Sequence, residues 1–433
     1  MHRPHVRSRN GKATRVLAGV GALVLSSSLL AACSANAEGG TPELIWYINP
    51  DTGGQAAVAE NCSTDEYTIT TQTLPTDAGQ QRIQLARRLA AHDPDIDLMS
   101  IDPPYTAEFA DAGFLAEVPQ DAVSELEANG TFQGAMDAAT WEDKLVVFPF
   151  WSNVQVLWFR KSFAEKVGLD MSQPVTWDQI IDAAADNDAQ IGVQANKYEG
   201  YVVWINALIE GAGGSIAEDT EAGIDAEITI ADDAGQKAAA VIEKLASSSA
   251  APADLSVSNE GTGLATFGSD AGSFMVNWTF VFHNYDESAP DVAKDIGYAP
   301  YPATVDGQDA APPYGGIGLG VSAYSDEKEF ALEAAQCIVS PENQGINAEI
   351  TGNMPASEAG YEYEALKEIY PEDLLQLFQD SVEKAAPRTV TPYWSDISSA
   401  IQSTWHSPHG VDEETPEKSK EFIEEVLKGG SLL

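Results

Sequence analysis

Four side chains follow short apolar runs and carry groups that suit a hydroxyl-rich ligand. Asp102 comes after the run from Ile96 to Ile101 and precedes Pro103-Pro104. Asn153 follows the run 144–150, and its amide can donate and accept at once. Trp278 ends the apolar stretch from Phe274 and offers a flat face on which a pyranose could stack. Arg388 follows Pro387, and its planar fork can clamp paired hydroxyls. Each has a plainer reading: Asp102 as a turn cap, Asn153 as a hinge hydrogen bond, Trp278 as core, Arg388 in a surface ion pair. Carboxylates and amides that take paired hydrogen bonds, with an aromatic platform, are what a small polar ligand needs.

Other chemistries fit less well. The chain contains no GxxxxGK[ST] and no HExxH. Gly316-x-Gly318-x-Gly320 imitates part of a dinucleotide fingerprint but lacks the full GxGxxG and an acidic partner after a second strand. After residue 32 only His92, His283, His406 and His409 remain, and Pro408 prevents a helical pair from the last two. Neither a metal nor a cofactor is expected. Asp102 and a second acid could in principle be the carboxylate pair of a glycoside hydrolase, but acids are abundant and such pairs are easily imagined.

The elements that must position these groups begin outside the folded domain. The chain has 433 residues, with 23 Lys+Arg against 67 Asp+Glu, a net charge of −44. That balance opposes nucleic-acid binding and polybasic membrane attachment. Residues 1–32 hold Arg3, Arg7, Arg9, Lys12 and Arg15 and no acid, so the remainder carries −49. A short apolar run from Val16 to Leu30 follows, suited to a secretory leader rather than a membrane span. It ends in LAAC at 30–33, which resembles the lipobox of bacterial lipoproteins. The expected result is cleavage before Cys33, lipidation of its thiol and anchoring outside the cytoplasmic membrane. Residues 33–42 read as a lipidated tether. Cys62 and Cys337, placed outside the cell, favour a bridge over two unpaired buried thiols.

Beyond the tether, strands and helices alternate, which predicts an α/β fold with a largely parallel sheet. The predicted strands are 43–48, 67–74, 96–101, 144–150 broken by Pro149, 154–159, 274–278 and 315–321. The predicted helices include 55–62, 80–91, one capped by Thr176, one over 326–339 with Asp326 and Glu329 at capping-box spacing, and one over 416–428.

Five stretches carry a resemblance: the lipobox, DIDLMSID at 95–102 with FADAGFL at 109–115, KLVVFPFWSN at 144–153, LATFG at 264–268 running to Trp278, and GGIGLGVS at 315–322. In this order they resemble the extracellular sugar-binding lipoproteins of ABC importers, the maltose-binding-protein-like group. Within it, QRIQLARRL at 81–89, YTAEFA at 105–110, VQAN at 193–196, VNW at 276–278 and PRTVTP at 387–392 are similar to actinobacterial trehalose-binding lipoproteins. The positions of Cys62 and Cys337 agree.

The resemblance implies a two-lobed, periplasmic-binding-protein-like α/β fold with discontinuous lobes joined by a hinge. The leader is 1–32, one lobe is 43–150 with 316–372, and the other is 151–315 with 373–433. Crossings are expected near 150–153, 313–318 and 370–376. The chain would act as a monomer and no enzyme, capturing trehalose or a related disaccharide such as maltose and handing it to membrane permease subunits. Asp102, Asn153, Trp278 and Arg388 then become ligand contacts. Glu260 joins them on the resemblance alone. Asn49, Asp51 and Gln80 lie in loops that should face the cleft. Gly316, beside Gly315, either lets the sugar approach the backbone or shapes the hinge. Trp46, Trp151, Tyr393 and Trp394 divide between cleft and core in a way the sequence leaves open. A secreted glycoside hydrolase and a purely structural envelope lipoprotein are the competing readings.

Overall fold

A computed structural model describes residues 41–431. The expected leader, Cys33 and nearly all of the tether lie outside the described residues. Among the described residues, no helix is long and apolar enough to cross a membrane.

Two sheets organise the chain. The first has the strand order Thr68–Thr73, Glu43–Ile48, Leu98–Ile101, Tyr314–Val321, Phe148–Val154. Its first three strands are parallel, and Tyr314–Val321 runs antiparallel to both neighbours. The second has the order Ile296–Ala299, Val156–Arg160, Gly272–Asn277, Gln190–Gly192, with one parallel pairing, the last. The sheets are therefore mixed rather than largely parallel. The lobes are discontinuous, because Tyr314–Val321 returns to the first sheet after all four strands of the second.

The passage between sheets falls at Gln155. Val154 still pairs with Tyr314, and Val156 already pairs with Asn277. Gln155 is fully buried and donates from Nε2 to Gln194 Oε1 at 2.7 Å, whose own amide donates to Val276 O at 3.1 Å. A second passage precedes Tyr314, whose N–H donates to Ala386 O at 3.1 Å while Ala386 N–H donates to Pro312 O at 2.9 Å.

Pro149 does not break its strand. Phe148–Val154 lies at the edge of the first sheet, where a missing N–H costs no ladder bond on the open side. Thr176 caps Trp177–Ala185 in a reciprocal capping box with Gln179. The box foreseen at Asp326 and Glu329 is absent: that helix is Lys328–Ile338, its N-cap residue is Glu327, and no side chain caps it. Ser325 Oγ, which accepts from Glu327 N–H at 3.0 Å, occupies the turn instead.

Burial follows these layers. Leu44, Trp46, Leu98, Leu319 and Val321 form the heart of the first lobe, and Leu157, Phe274, Ile191 and Trp177 that of the second. Glu199–Glu210 is apolar nearly all round, as an interior helix must be. Cys62 and Cys337 form a disulfide with Cα atoms 5.8 Å apart, tying Gly54–Cys62 to Lys328–Ile338 across 275 residues of sequence.

Candidate functional site

A cavity of about 480 Å³ opens where the two sheets meet. Small-ligand pockets span roughly 300–1,000 Å³, so the volume suits a molecule of a few rings. Asn49, Asp51, Asp102, Asn153, Glu260, Trp278, Gly316 and Arg388 all line it, although they span 340 residues of sequence. Gln80 does not. It is exposed on the first turn of Ala78–Ala90, where Asp77 Oδ1 accepts its backbone N–H at 2.8 Å. Thr76 and Ala78 reach the cavity in its place, because the helix turns away from the cleft after its cap.

The centre of the site is charged and nearly dry. Asp102 ends the turn after Leu98–Ile101 and makes no cap hydrogen bond with its side chain. Its Oδ1 instead accepts from Arg388 Nη2 at 2.8 Å. Arg388 Nη1 donates to Glu199 Oε1 at 2.9 Å. The side chains of Arg388 and Glu199 are each 5% exposed, and that of Asp102 20%. Glu199 also accepts from Trp394 Nε1 at 2.9 Å and from the Ser398 hydroxyl. One guanidinium thus joins an acid from the first sheet's loop to an acid at the start of Glu199–Glu210. Burial raises the proton affinity of Asp102 and Glu199, and Arg388 works against that rise. For Arg388, burial opposes the charge, but Asp102 and Glu199 overcome it and hold the pKa above the ordinary value.

Glu260 is the first residue of Glu260–Gly268, capped by Asn259. Asn277 Nδ2 donates to its carbonyl at 3.1 Å and so fixes the helix start against Gly272–Asn277. Burial raises its carboxyl pKa, while its own N–H, Tyr198 and Trp278 act in the other direction. Trp278 follows directly, its N–H donating to Asn277 Oδ1 at 2.9 Å. The indole lies over Gly315, where a Cβ would stand 2.6 Å from Cζ3. Gly316 has φ +125°, and a Cβ there would sit 2.1 Å from Trp151 O. The two glycines therefore have separate causes: one admits the indole, the other shapes the strand.

Asn153 combines both of its sequence readings. It lines the cavity, donates from Nδ2 to Asn353 Oδ1 at 2.9 Å and accepts from Thr279 Oγ1 at 3.1 Å. Asp51 is occupied locally: its carboxylate accepts from Gly53 N–H at 3.0 Å and from Gln55 N–H and Nε2 at 2.8 and 3.2 Å. That is an Asx turn closing the entry to Gly54–Cys62. The Asn49 Oδ1 is buried at the cavity with no hydrogen-bond partner. Trp151 lines the cavity, Trp46 and Trp394 are fully buried in the core, and Tyr393 stands outside the lining.

Sequence reasoning missed Glu199, Tyr198, His283 and Asn353, all of which line the cavity. Glu199 is one acid among 67, and only its place just before a uniformly apolar run could have marked it. Among the described residues, no group of three or more His, Cys, Asp or Glu could hold a metal ion.

The sequence profile of the bacterial extracellular solute-binding protein family matches residues 51–345, and the chain belongs to that family. It is similar to a probable ABC transporter-binding protein of Deinococcus radiodurans, 23% identical over 78% of this chain and 81% of that protein. Among solved structures it resembles the maltose-bound MalE3 of T. maritima, with TM-score 0.77, 22% identity, and 89% of this chain and 99% of that one covered. The GacH receptor of Streptomyces glaucescens, solved unliganded and with acarbose, gives TM-score 0.75 at 19% identity, covering 91% and 100%. These likenesses fix the two-lobed fold.

Proposed function

We propose that this chain is the sugar-binding lipoprotein of an ABC importer, anchored outside the cytoplasmic membrane through Cys33, and that it captures trehalose. One observation carries the reading. The cavity between the two sheets gathers an indole platform, five carboxylates, four amides and a guanidinium from segments far apart in sequence. Such a set matches a ring face bordered by hydroxyls, and each charged group strengthens the bonds it makes. Trehalose follows from the resemblance to the trehalose-binding lipoprotein LpqY. Maltose is the second ligand to test, since the similar MalE3 was solved with it. Asp102, Asn153, Glu260 and Arg388 would hold hydroxyls, and Trp278 would cover a ring. Closure about the Gln155 and Pro312–Tyr314 passages would follow from tighter binding in the closed state.

Calorimetric titration with trehalose and then maltose tests this. The expected result is heat from trehalose, none from maltose and no glucose released. Heat from maltose alone would replace the ligand, silence with both would remove these two disaccharides while leaving the two-lobed binder, and released glucose would mark an enzyme. Asp102→Ala and Glu260→Ala should lose tight binding while remaining folded by circular dichroism.

A further inference from the structure

The polar groups of the cavity are unbalanced. Arg388 is the one Lys or Arg among the described residues lining it, and both its terminal nitrogens are committed to carboxylates. Asp102 and Glu199 already outnumber it. Glu260 makes no ion pair with any described residue, although it is partly buried and lines the same space. Tyr198 and Trp278 favour the charged Glu260 carboxyl as neutral donors but bring no positive charge to it, and the Asn49 Oδ1 is a buried acceptor without a donor. Asp51 adds no attraction for an anion, because its own carboxylate is filled by three N–H groups. What the described lining lacks is a second Lys or Arg to pair with Glu260. A partly desolvated carboxylate with no cationic partner carries a cost that neutral donors offset only in part, and a ligand that brings a positive charge to it recovers more. A neutral hydroxyl can bond to Glu260 but cannot neutralise it.

We infer that the cleft prefers a saccharide bearing a protonated amine, seated at Glu260, over the neutral parent sugar. This rests on the saccharide reading above and narrows its ligand to neutral and amino sugars, with anionic sugars disfavoured. Asp102 faces Glu260 across the cavity, and Tyr198, with Asp77 acting on it, stands beside Glu260. Arg388, Glu199, His283 and Glu287 complete the charged and titratable lining near it.

The test titrates the protein with trehalose and maltose, then with the monoamino-monodeoxy analogues of each. It is done near neutral pH and again above the pKa of each amine. The readout is the affinity ratio of amine to parent at each pH, in which effects of the cavity's own titrations on both ligands cancel. At least one amine should bind about tenfold or more tighter than its parent near neutral pH. The advantage should vanish once the amine loses its proton, and the ratio should fall to about one in Glu260→Gln. If that variant binds no sugar, the pH-dependent ratio decides alone. Parent binding with no amine advantage, or an advantage that survives deprotonation or Glu260→Gln, overturns this inference and leaves the sugar reading intact. Silence with parents and amines alike overturns both.

Discussion

Removing the Arg388 guanidinium would leave Asp102 and Glu199 facing one another in a nearly dry site. Breaking such a buried pair costs about 3–5 kcal/mol, mostly as the penalty for the stranded charge. Arg388→Met should therefore lower stability by that order near neutral pH in urea unfolding. The deficit should shrink as pH falls, because burial raises both carboxyls and, without the guanidinium, they take up protons more readily. Equal loss at neutral and acidic pH would mean the side chain acts by packing alone. Glu210, at the far end of the same helix, is a partly buried acid, and that burial pushes its carboxyl up to about 7. A carboxyl that is harder to ionise when folded favours the native state below its unfolded pKa. That contribution is lost as pH rises through the folded value. Glu210→Gln should accordingly be more stable than the natural protein by about 1–3 kcal/mol at pH 8 and no more stable at about pH 4. At this scale the sequence was readable where residue type and local context agree, as for Trp278 and Asn153. It was nearly mute where burial decides: only the apolar run after Glu199 separates it from a solvated acid, and nothing local shows that Asp51 spends its oxygens on its own turn.

Strand Tyr314–Val321 is the return crossing, and Gly316 is its constraint. Alanine there would need φ near +125° and would drive Cβ into the Trp151 carbonyl. Both strain and displacement of the paired edge strand follow, so Gly316→Ala should cost more than about 1–3 kcal/mol. The thermal midpoint checks this. The variant should also lose sugar affinity, because Gly315, under the Trp278 indole, belongs to the same strand. Gly307→Ala, with nothing within 4 Å of its Cβ but φ +76°, measures the backbone strain without the clash and should cost less. Elements with strong local signals were legible: Thr176 and Gln179 announced their helix, and the β-branched run near Thr68 its strand. Pro149 misled because a proline signals interruption only in a paired interior, and edge position is a property of the sheet. Strand direction was likewise hidden, since it is set by long-range pairing.

Across the whole molecule, the ordered resemblance anticipated two discontinuous lobes, while the mixed strand directions and the passage at Gln155, beyond the expected 150–153, are set by long-range pairing that neither it nor local periodicity specified. The acidity belongs to this scale too. With 67 acids against 23 bases, most carboxylates have no cationic neighbour, and the folded state concentrates their repulsion. Exposed ion pairs such as Lys244 with Asp178 and Asp182 offset little of it. Salt screens charges beyond a Debye length of about 10 Å at 0.1 M and about 3 Å at 1 M, so it acts on the diffuse repulsion more than on these close contacts. Raising sodium chloride across that range should increase the urea midpoint near neutral pH. The increase should be smaller at about pH 4, where many carboxylates are neutral. The pH contrast separates screening from the general strengthening of apolar burial by salt, which does not depend on carboxylate charge. A midpoint that falls with salt at neutral pH would mean that the few ion pairs outweigh the uncompensated acids, and that the charge imbalance carries no destabilising load.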